Sequence, residues 1–108
     1  MAWGRLGAQD LAVTTNTTVY TVPANLRATV NVNVCNRNAV AVVIRLMHLD
    51  GAIGGLADED YIEYDVTLAA NGTLERTGIP MTAGHVIGAY SDTADVTVQV
   101  YGIEETNG

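Results

Sequence analysis

Valines at every second position are the feature of this sequence that most restricts its fold. Apolar and polar residues alternate over residues 30–35 and 96–101, and the same period recurs over 40–47 and 61–68. Such alternation puts apolar side chains on one face of a β-strand, whereas an amphipathic helix has a period near 3.6 residues. These four segments therefore predict strands that each bury one face.

Weaker strands are expected at residues 11–14, 17–22, 73–77 and 85–90. Turn residues separate the eight segments at intervals of roughly ten residues, which is typical of an antiparallel sandwich or barrel. We therefore predict an all-β fold, an antiparallel β-sandwich of jelly-roll or immunoglobulin-like type with about eight short strands. The valine faces would form the layer buried between the two sheets.

Three connections carry recognisable turn chemistry. Residues 36–38 (Asn-Arg-Asn) can supply the positive φ angles of a tight hairpin, and the pair Asn71-Gly72 is the strongest hairpin dipeptide in the chain. Residues 50–60 have no period and contain three glycines. They predict one long surface loop, with at most a single helical turn at 57–60.

A chain of 108 residues is one domain's worth of sequence. We expect an N-terminal arm at residues 1–9, a single sandwich domain at 10–105 and a short tail at 106–108. The arm carries the only tryptophan, Trp3, together with Leu6 on a glycine-containing stretch. Two alternatives stay open for it: insertion of Trp3 into a neighbouring subunit, or folding of Trp3 back over an open end of its own sandwich.

Charge narrows the classes of partner. Twelve acidic residues face five basic ones, all of them arginine, so the formal net charge is −7. A nucleic-acid-binding protein needs a basic face, and so does a protein that adsorbs to anionic lipid, so neither function is expected. No apolar run approaches the ~20 residues of a spanning helix, and no secretory leader is expected. The single cysteine, Cys35, permits no intrachain disulfide, which fits synthesis in a reducing host cytoplasm.

The inventory of reactive side chains is small. The chain has one serine, one cysteine, two histidines and no lysine, and no catalytic motif surrounds any of them. His48 and His85 lack the spacing of a zinc site, and the acidic run at residues 58–60 lacks the oxygen spacing of a calcium loop. We therefore expect no enzymatic activity, no metal and no cofactor. The absence of lysine to protect strand edges favours a homo-oligomer or a surface lying flat on a larger assembly.

Three stretches of the chain resemble small virion proteins of tailed bacteriophages, including cyanophages. They are NTTVYTVPANLRATVNVNVCN at residues 16–36, DYIEYDVTLAANGTLERTGIPM at 60–81 and VTVQVYGIEE at 96–105. The resemblance implies a β-sandwich that acts by adhesion, as a capsid decoration (cement) protein on the outside of the shell. The partners it implies are the major capsid protein of the same virion and further copies of the chain, as a homotrimer or a dimer.

Five residues are the candidates for such contacts. Trp3, Arg5 and Leu6 are expected to meet the capsid or a neighbouring copy, and Tyr61 and Tyr101 are expected to be exposed aromatic contacts. An alternative function keeps the same fold. It is a tail, baseplate or fibre-associated module that binds another virion protein, or a host-surface glycan through tyrosine and asparagine side chains.

Overall fold

The computed structural model describes residues 2–106, which form eight β-strands and two single 3-10 turns. The strands are β1 (Trp3–Asp10), β2 (Thr17–Thr21), β3 (Leu26–Asn36), β4 (Val42–Leu49), β5 (Tyr61–Leu68), β6 (Thr73–Thr82), β7 (Val86–Ser91) and β8 (Val96–Thr106). The 3-10 turns span Ile53–Gly55 and Asp58–Asp60, and the described residues contain no α-helix. The predicted antiparallel β-sandwich of about eight strands is confirmed.

The strands form two four-stranded antiparallel sheets. The first sheet has the order β1-β8-β3-β6 and the second has the order β2-β7-β4-β5. Only β4 and β5 are both consecutive in sequence and paired, and every other connection crosses from one sheet to the other. This arrangement of two interlocked Greek keys is the jelly roll, so the topology decides between the two sandwich types that the sequence leaves open.

The alternating valines line the space between the sheets, as their period predicts. Val30, Val32 and Val34 of β3 are fully buried, and they lie beside the equally buried Val98 and Val100 of β8. A fully buried valine side chain stabilises the fold by about 1.5–3 kcal/mol relative to an exposed one. The valines of β3 and β8 therefore contribute strongly to the core between the two sheets.

The N-terminal segment corrects the sequence analysis. Trp3–Asp10 is not a separate arm but the edge strand β1, which pairs with β8 from Trp3–Ile103 to Asp10–Thr97. Small residues permit this placement, because a Cβ added at Gly7 would lie 2.3 Å from the backbone oxygen of Val19 in the other sheet. Residues 11–14 were expected to form a strand and do not. At the other end, residues 107 and 108 of the expected tail lie outside the described residues, as does Met1.

The two expected hairpins are also wrong, since each turn joins strands of different sheets. Asn71 does have the predicted positive φ of 56°, but it connects β5 to β6 across the sandwich. Asn36 has no positive φ; its buried side chain donates to the backbone oxygens of Val40 and Ala69 and accepts from the backbone N–H of Asn38. The asparagine thus ties together the chain segments at one end of the sandwich.

The long loop at residues 50–60 packs against the outer face of the second sheet. Met47, Leu49 and Val86 form a small buried cluster there, covered by Ile53 and Leu56 of the loop. The single helical turn expected at 57–60 is present as Asp58–Asp60. Met47 was expected on an outward face exposed to solvent; it points outward but is fully buried. The loop therefore gives the second sheet a cover.

Candidate binding surface

The outer face of the first sheet carries a row of four residues, three of them apolar, that crosses all four strands. Strand register places Trp3 of β1 opposite Ile103 of β8, Ile103 opposite Thr29 of β3, and Thr29 opposite Pro80 of β6. We call these four residues the Trp3 row. Trp3 is 83% exposed and Ile103 is 46% exposed, so two large apolar side chains lie side by side in solvent. Exposed apolar groups that adjoin one another, unlike scattered ones, mark interaction sites.

The next row on the same face combines a cation, an aromatic ring and an amide. Arg5 of β1 is opposite Tyr101 of β8, which is opposite Asn31 of β3. The Asn31 Oδ1 accepts a hydrogen bond of 3.0 Å from the backbone N–H of Gly78, which fixes that side chain at the edge of β6. We call Arg5, Tyr101 and Asn31 the Tyr101 row.

A hydrogen bond to a residue two strands away holds the Tyr101 side chain in place. Its hydroxyl donates to Oε2 of Glu75 on β6, so the side chain extends across β3. This hydrogen bond is the main reason why the pKa of Tyr101 is raised, and the phenol stays protonated. An oriented ring loses little conformational entropy when a partner binds to it.

Leu6 does not belong to this surface. Successive side chains of a strand point to opposite faces, so Leu6, which follows the outward-facing Arg5, packs against the main core. Trp3, Arg5 and Tyr101 thus share one sheet face, whereas Leu6 packs against the core; that any of the four contacts a partner stays a prediction. The register shift between Arg5 and Gly7 acts on the residues after Leu6, since it places Gly7 on the inner side as well, opposite Val100.

A buried carboxylate anchors the end of β1 that carries Trp3. Glu104 of β8 is 8% exposed and accepts a 2.6 Å hydrogen bond from the Tyr20 hydroxyl of the second sheet. Its Oε1 also accepts from the backbone N–H of Ala2 at 3.2 Å, and its own N–H donates to the Ala2 oxygen at 2.7 Å. Burial, and then the hydrogen bond to Glu104, raise the pKa of Tyr20. The sequence gives no signal of this contact, because nothing distinguishes the buried Glu104 from the adjacent Glu105 at the same strand end.

Tyr61 lies on the other side of the molecule. It is half-buried on β5 and packs against the Met47, Leu49 and Val86 cluster under the long loop. Its ring meets the ring of Tyr64 edge to face, with 4.8 Å between centroids. The expectation that Tyr61 would be an exposed contact is thus met only in part, and Tyr64, which is 57% exposed, is the more accessible ring.

The two histidines form the most notable cluster of titratable groups outside this surface. His48 Nε2 lies 2.9 Å from His85 Nδ1, and His85 Nε2 lies 3.0 Å from the Thr82 hydroxyl. Burial, and then the neighbouring His85, lower the pKa of His48. Within residues 2–106, no three His, Cys, Asp or Glu side chains converge as metal ligands.

Cys35 and Ser91, the single thiol and the single serine hydroxyl, are placed apart. Cys35 lies half-buried on β3, where it pairs with Thr97 and Thr73 on the outer face of the first sheet. Ser91 is buried at the end of β7, and its hydroxyl donates to the Thr93 oxygen at 2.8 Å. That the chain carries out no reaction and takes no metal or cofactor stays a prediction.

Comparisons with protein-family models, with curated proteins and with solved structures gave no match for the chain. Over residues 2–106, none of the helical segments has the length and apolar character needed to cross a bilayer. Fold, surface and sequence resemblance are therefore the observations on which a functional assignment rests.

Proposed function

We propose that the chain is a structural protein of a bacteriophage virion, a capsid decoration (cement) protein that binds the outer shell and bridges major capsid subunits. The observation that carries this proposal is the Trp3 row, in which Trp3 and Ile103 stand exposed on the outer face of the first sheet beside Arg5 and Tyr101. Tryptophan, tyrosine and arginine are the residues that most often dominate the binding energy of protein interfaces.

The size of the face supports the proposal. Strands β3 and β8 are 11 residues long. With β1 at 8 residues and β6 at 10, the four strands at about 4.8 Å spacing and about 3.3 Å per residue present a face of roughly 630 Å². That is close to the roughly 800 Å² that each partner buries in an interface of standard size. The face is thus large enough to account for specific adhesion by itself.

The fold and the sequence resemblance support the same assignment. Jelly rolls recur in viral capsid proteins, although the fold alone does not imply a function. Copies associated as homotrimers would contact several capsid subunits at once, and multivalent attachment strengthens binding without any new kind of contact. Sedimentation equilibrium tests the trimer, which has three times the 11.4 kDa mass of the chain.

Substitution of Trp3 tests the proposed face. We expect Trp3→Ala to weaken binding to purified shells that lack the chain by about 30-fold, the cost of removing a hot-spot side chain. Co-sedimentation of labelled protein with the shells measures this. Val40→Ala is the matched control, because Val40 is an apolar residue that is 63% exposed outside the strands of this face. Deletion of residues 1–7 is not a suitable test, since it removes most of an edge strand.

Two results would count against the proposal. Equal binding by Trp3→Ala and wild type removes the Trp3 row as the contact surface. Absence of the chain from purified virions removes the virion function itself. Densitometry of virion proteins then separates the two virion roles: many copies over the shell fit decoration, whereas a few copies per particle fit a tail, baseplate or fibre module.

A further inference from the structure

An open groove of about 360 Å³ lies on the second sheet, away from the proposed capsid-binding face. Asp58 of the long loop and the rings of Tyr61 and Tyr64 line it. In a regular strand, residues three apart point to opposite faces. The β4–β5 pairing shifts register twice, at Ile44/Leu46 and Leu46/Met47, and Asp65 has a positive φ of 51°. These irregularities accompany the turning of both tyrosine rings to the same side.

Tyrosine rings in this region already bind a guanidinium group within the chain. The Arg45 Cζ lies 4.4 Å from the Tyr64 ring centroid and 4.6 Å from that of Tyr90. Arg45 also donates to Asp65 Oδ1 at 2.6 Å, so its charge has a carboxylate partner. A second cation can make the same cation–π contact with the part of the Tyr64 ring that remains exposed.

The groove has an unmatched negative charge as well as rings. Among the ion pairs of residues 2–106, none involves Asp58 or the adjacent Glu59. The chain as a whole has a net charge of −7. A carboxylate beside two aromatic rings, in a field of negative charge, attracts an organic cation more strongly than a neutral ligand.

We propose that this groove binds an arginine side chain presented by a protein partner, with the guanidinium against Tyr64 and its charge facing Asp58. The proposal does not depend on the capsid function, because the groove and the Trp3 row lie on different sheets. A saccharide is the competing ligand, since aromatic rings also stack on sugars, but a sugar would leave the Asp58 charge without a counterpart.

The test uses the full-length, 15N-labelled protein and blocked pentapeptides, observed by NMR titration at low salt. The peptide Gly-Gly-Arg-Gly-Gly is compared with a peptide in which citrulline, a neutral isostere, replaces arginine. We expect the arginine peptide to shift the amide signals of residues 58–64 and the citrulline peptide to bind about three- to fivefold more weakly. Added salt should weaken binding of the arginine peptide.

Variants assign the binding to the two groups. Tyr64→Ala and Asp58→Asn are each expected to weaken the arginine peptide by about three- to fivefold, whereas Tyr64→Phe keeps the ring face and binds within about twofold of wild type. Val40→Ala, at an exposed residue outside the groove, is the control and leaves peptide binding unchanged. Equal affinity for the arginine and citrulline peptides overturns the proposal. So does a response of the same signals to maltose but not to the arginine peptide, which would identify a saccharide site.

Discussion

At the scale of single residues, the buried Tyr20–Glu104 hydrogen bond links the two sheets and also fixes the start of β1. It joins the two sheets at the end of the sandwich where β1 begins, and Glu104 also binds the backbone of Ala2. Loss of one partner leaves the other buried without its hydrogen bond, and that desolvation is the larger part of the cost. Trp3 is the next residue along β1, so the same contact orients the most exposed side chain of the proposed surface.

Removal of the Tyr20 hydroxyl tests this contact. We expect Tyr20→Phe to lower the free energy of unfolding by about 1–3 kcal/mol, because the Glu104 carboxylate loses its hydroxyl donor in a buried site. Urea denaturation at neutral pH measures the change. Tyr101→Phe is a matched control that also removes a hydroxyl-to-glutamate hydrogen bond, but at the surface, and its loss should be clearly smaller. Equal losses in the two variants would show that burial of the Glu104 contact has no special weight.

The two histidines, also at the scale of single residues, make the free energy of unfolding depend on pH. His48 has its pKa lowered from the ordinary 6.5, first by burial and then by His85, while Asp60 and Asp50 act weakly in the opposite direction. The fold therefore favours neutral His48. Its contribution to stability is complete above the ordinary pKa and is lost as the pH falls from there toward the lowered pKa of the folded state.

Unfolding measured between about pH 7.5 and about pH 5 tests the role of the pair. We expect wild type to lose stability over the acidic part of this range, and His48→Gln to lose less, because glutamine takes up no proton. His85→Gln removes the repulsion from the other side and should also flatten the profile. If wild type and His48→Gln change in parallel, protonation of His48 does not contribute to acid sensitivity.

At the scale of the strands, the closest approach in the first sheet occurs where β8 passes β3. A Cβ added at Gly102 would lie 2.1 Å from the Thr29 backbone oxygen and 2.9 Å from the Val30 Cα. Both atoms belong to the backbone, so neither can move aside as a flexible side chain would. The glycine lies between Tyr101 and Ile103, so this close contact falls between the two rows of the binding surface.

Alanine at this glycine is expected to force β8 and β3 apart. Gly102→Ala should lower the free energy of unfolding by about 1–3 kcal/mol, the usual cost of overpacking. Thermal denaturation measures it, with Gly54→Ala as the control, since the space around Gly54 in the long loop is open. The control should stay within about 0.5 kcal/mol of wild type. A Gly102→Ala protein as stable as the control would mean that the two strands separate at no cost.

The strands also show what sequence reasoning can and cannot reach. Alternation over residues 30–35 correctly predicts which face of β3 is buried, because that pattern depends on one strand alone. The pairing of β3 with β8 and β6 depends on chain segments that are far apart in sequence. Asn71-Gly72 therefore predicts the local backbone conformation correctly, but it predicts the wrong pair of strands. Trp3, Arg5 and Tyr101 could be identified by residue type. Ile103, Thr29 and Pro80 became part of the surface only through strand register.

At the scale of the whole molecule, the two broad sides of the sandwich are unlike each other. The first sheet presents the Trp3 and Tyr101 rows on a bare strand surface, while the second sheet is covered by residues of the loop at 50–60. This difference arises from one loop, the segment between β4 and β5. The β-sandwich could be predicted as a class from the strands, but the choice of the jelly roll depends on strand order. The cover on one sheet depends on Ile53 and Leu56, in a segment without periodicity.

One broad side of the sandwich carries the Trp3 row and the other carries the loop at residues 50–60. Attachment through the Trp3 row therefore fixes which side faces outward. Every copy attached through Trp3 would settle with the same orientation, and each would hold its tyrosine groove toward the surroundings. A coat assembled from such copies would display that groove at regular intervals. A partner that binds a single groove weakly would then be held by several grooves at once.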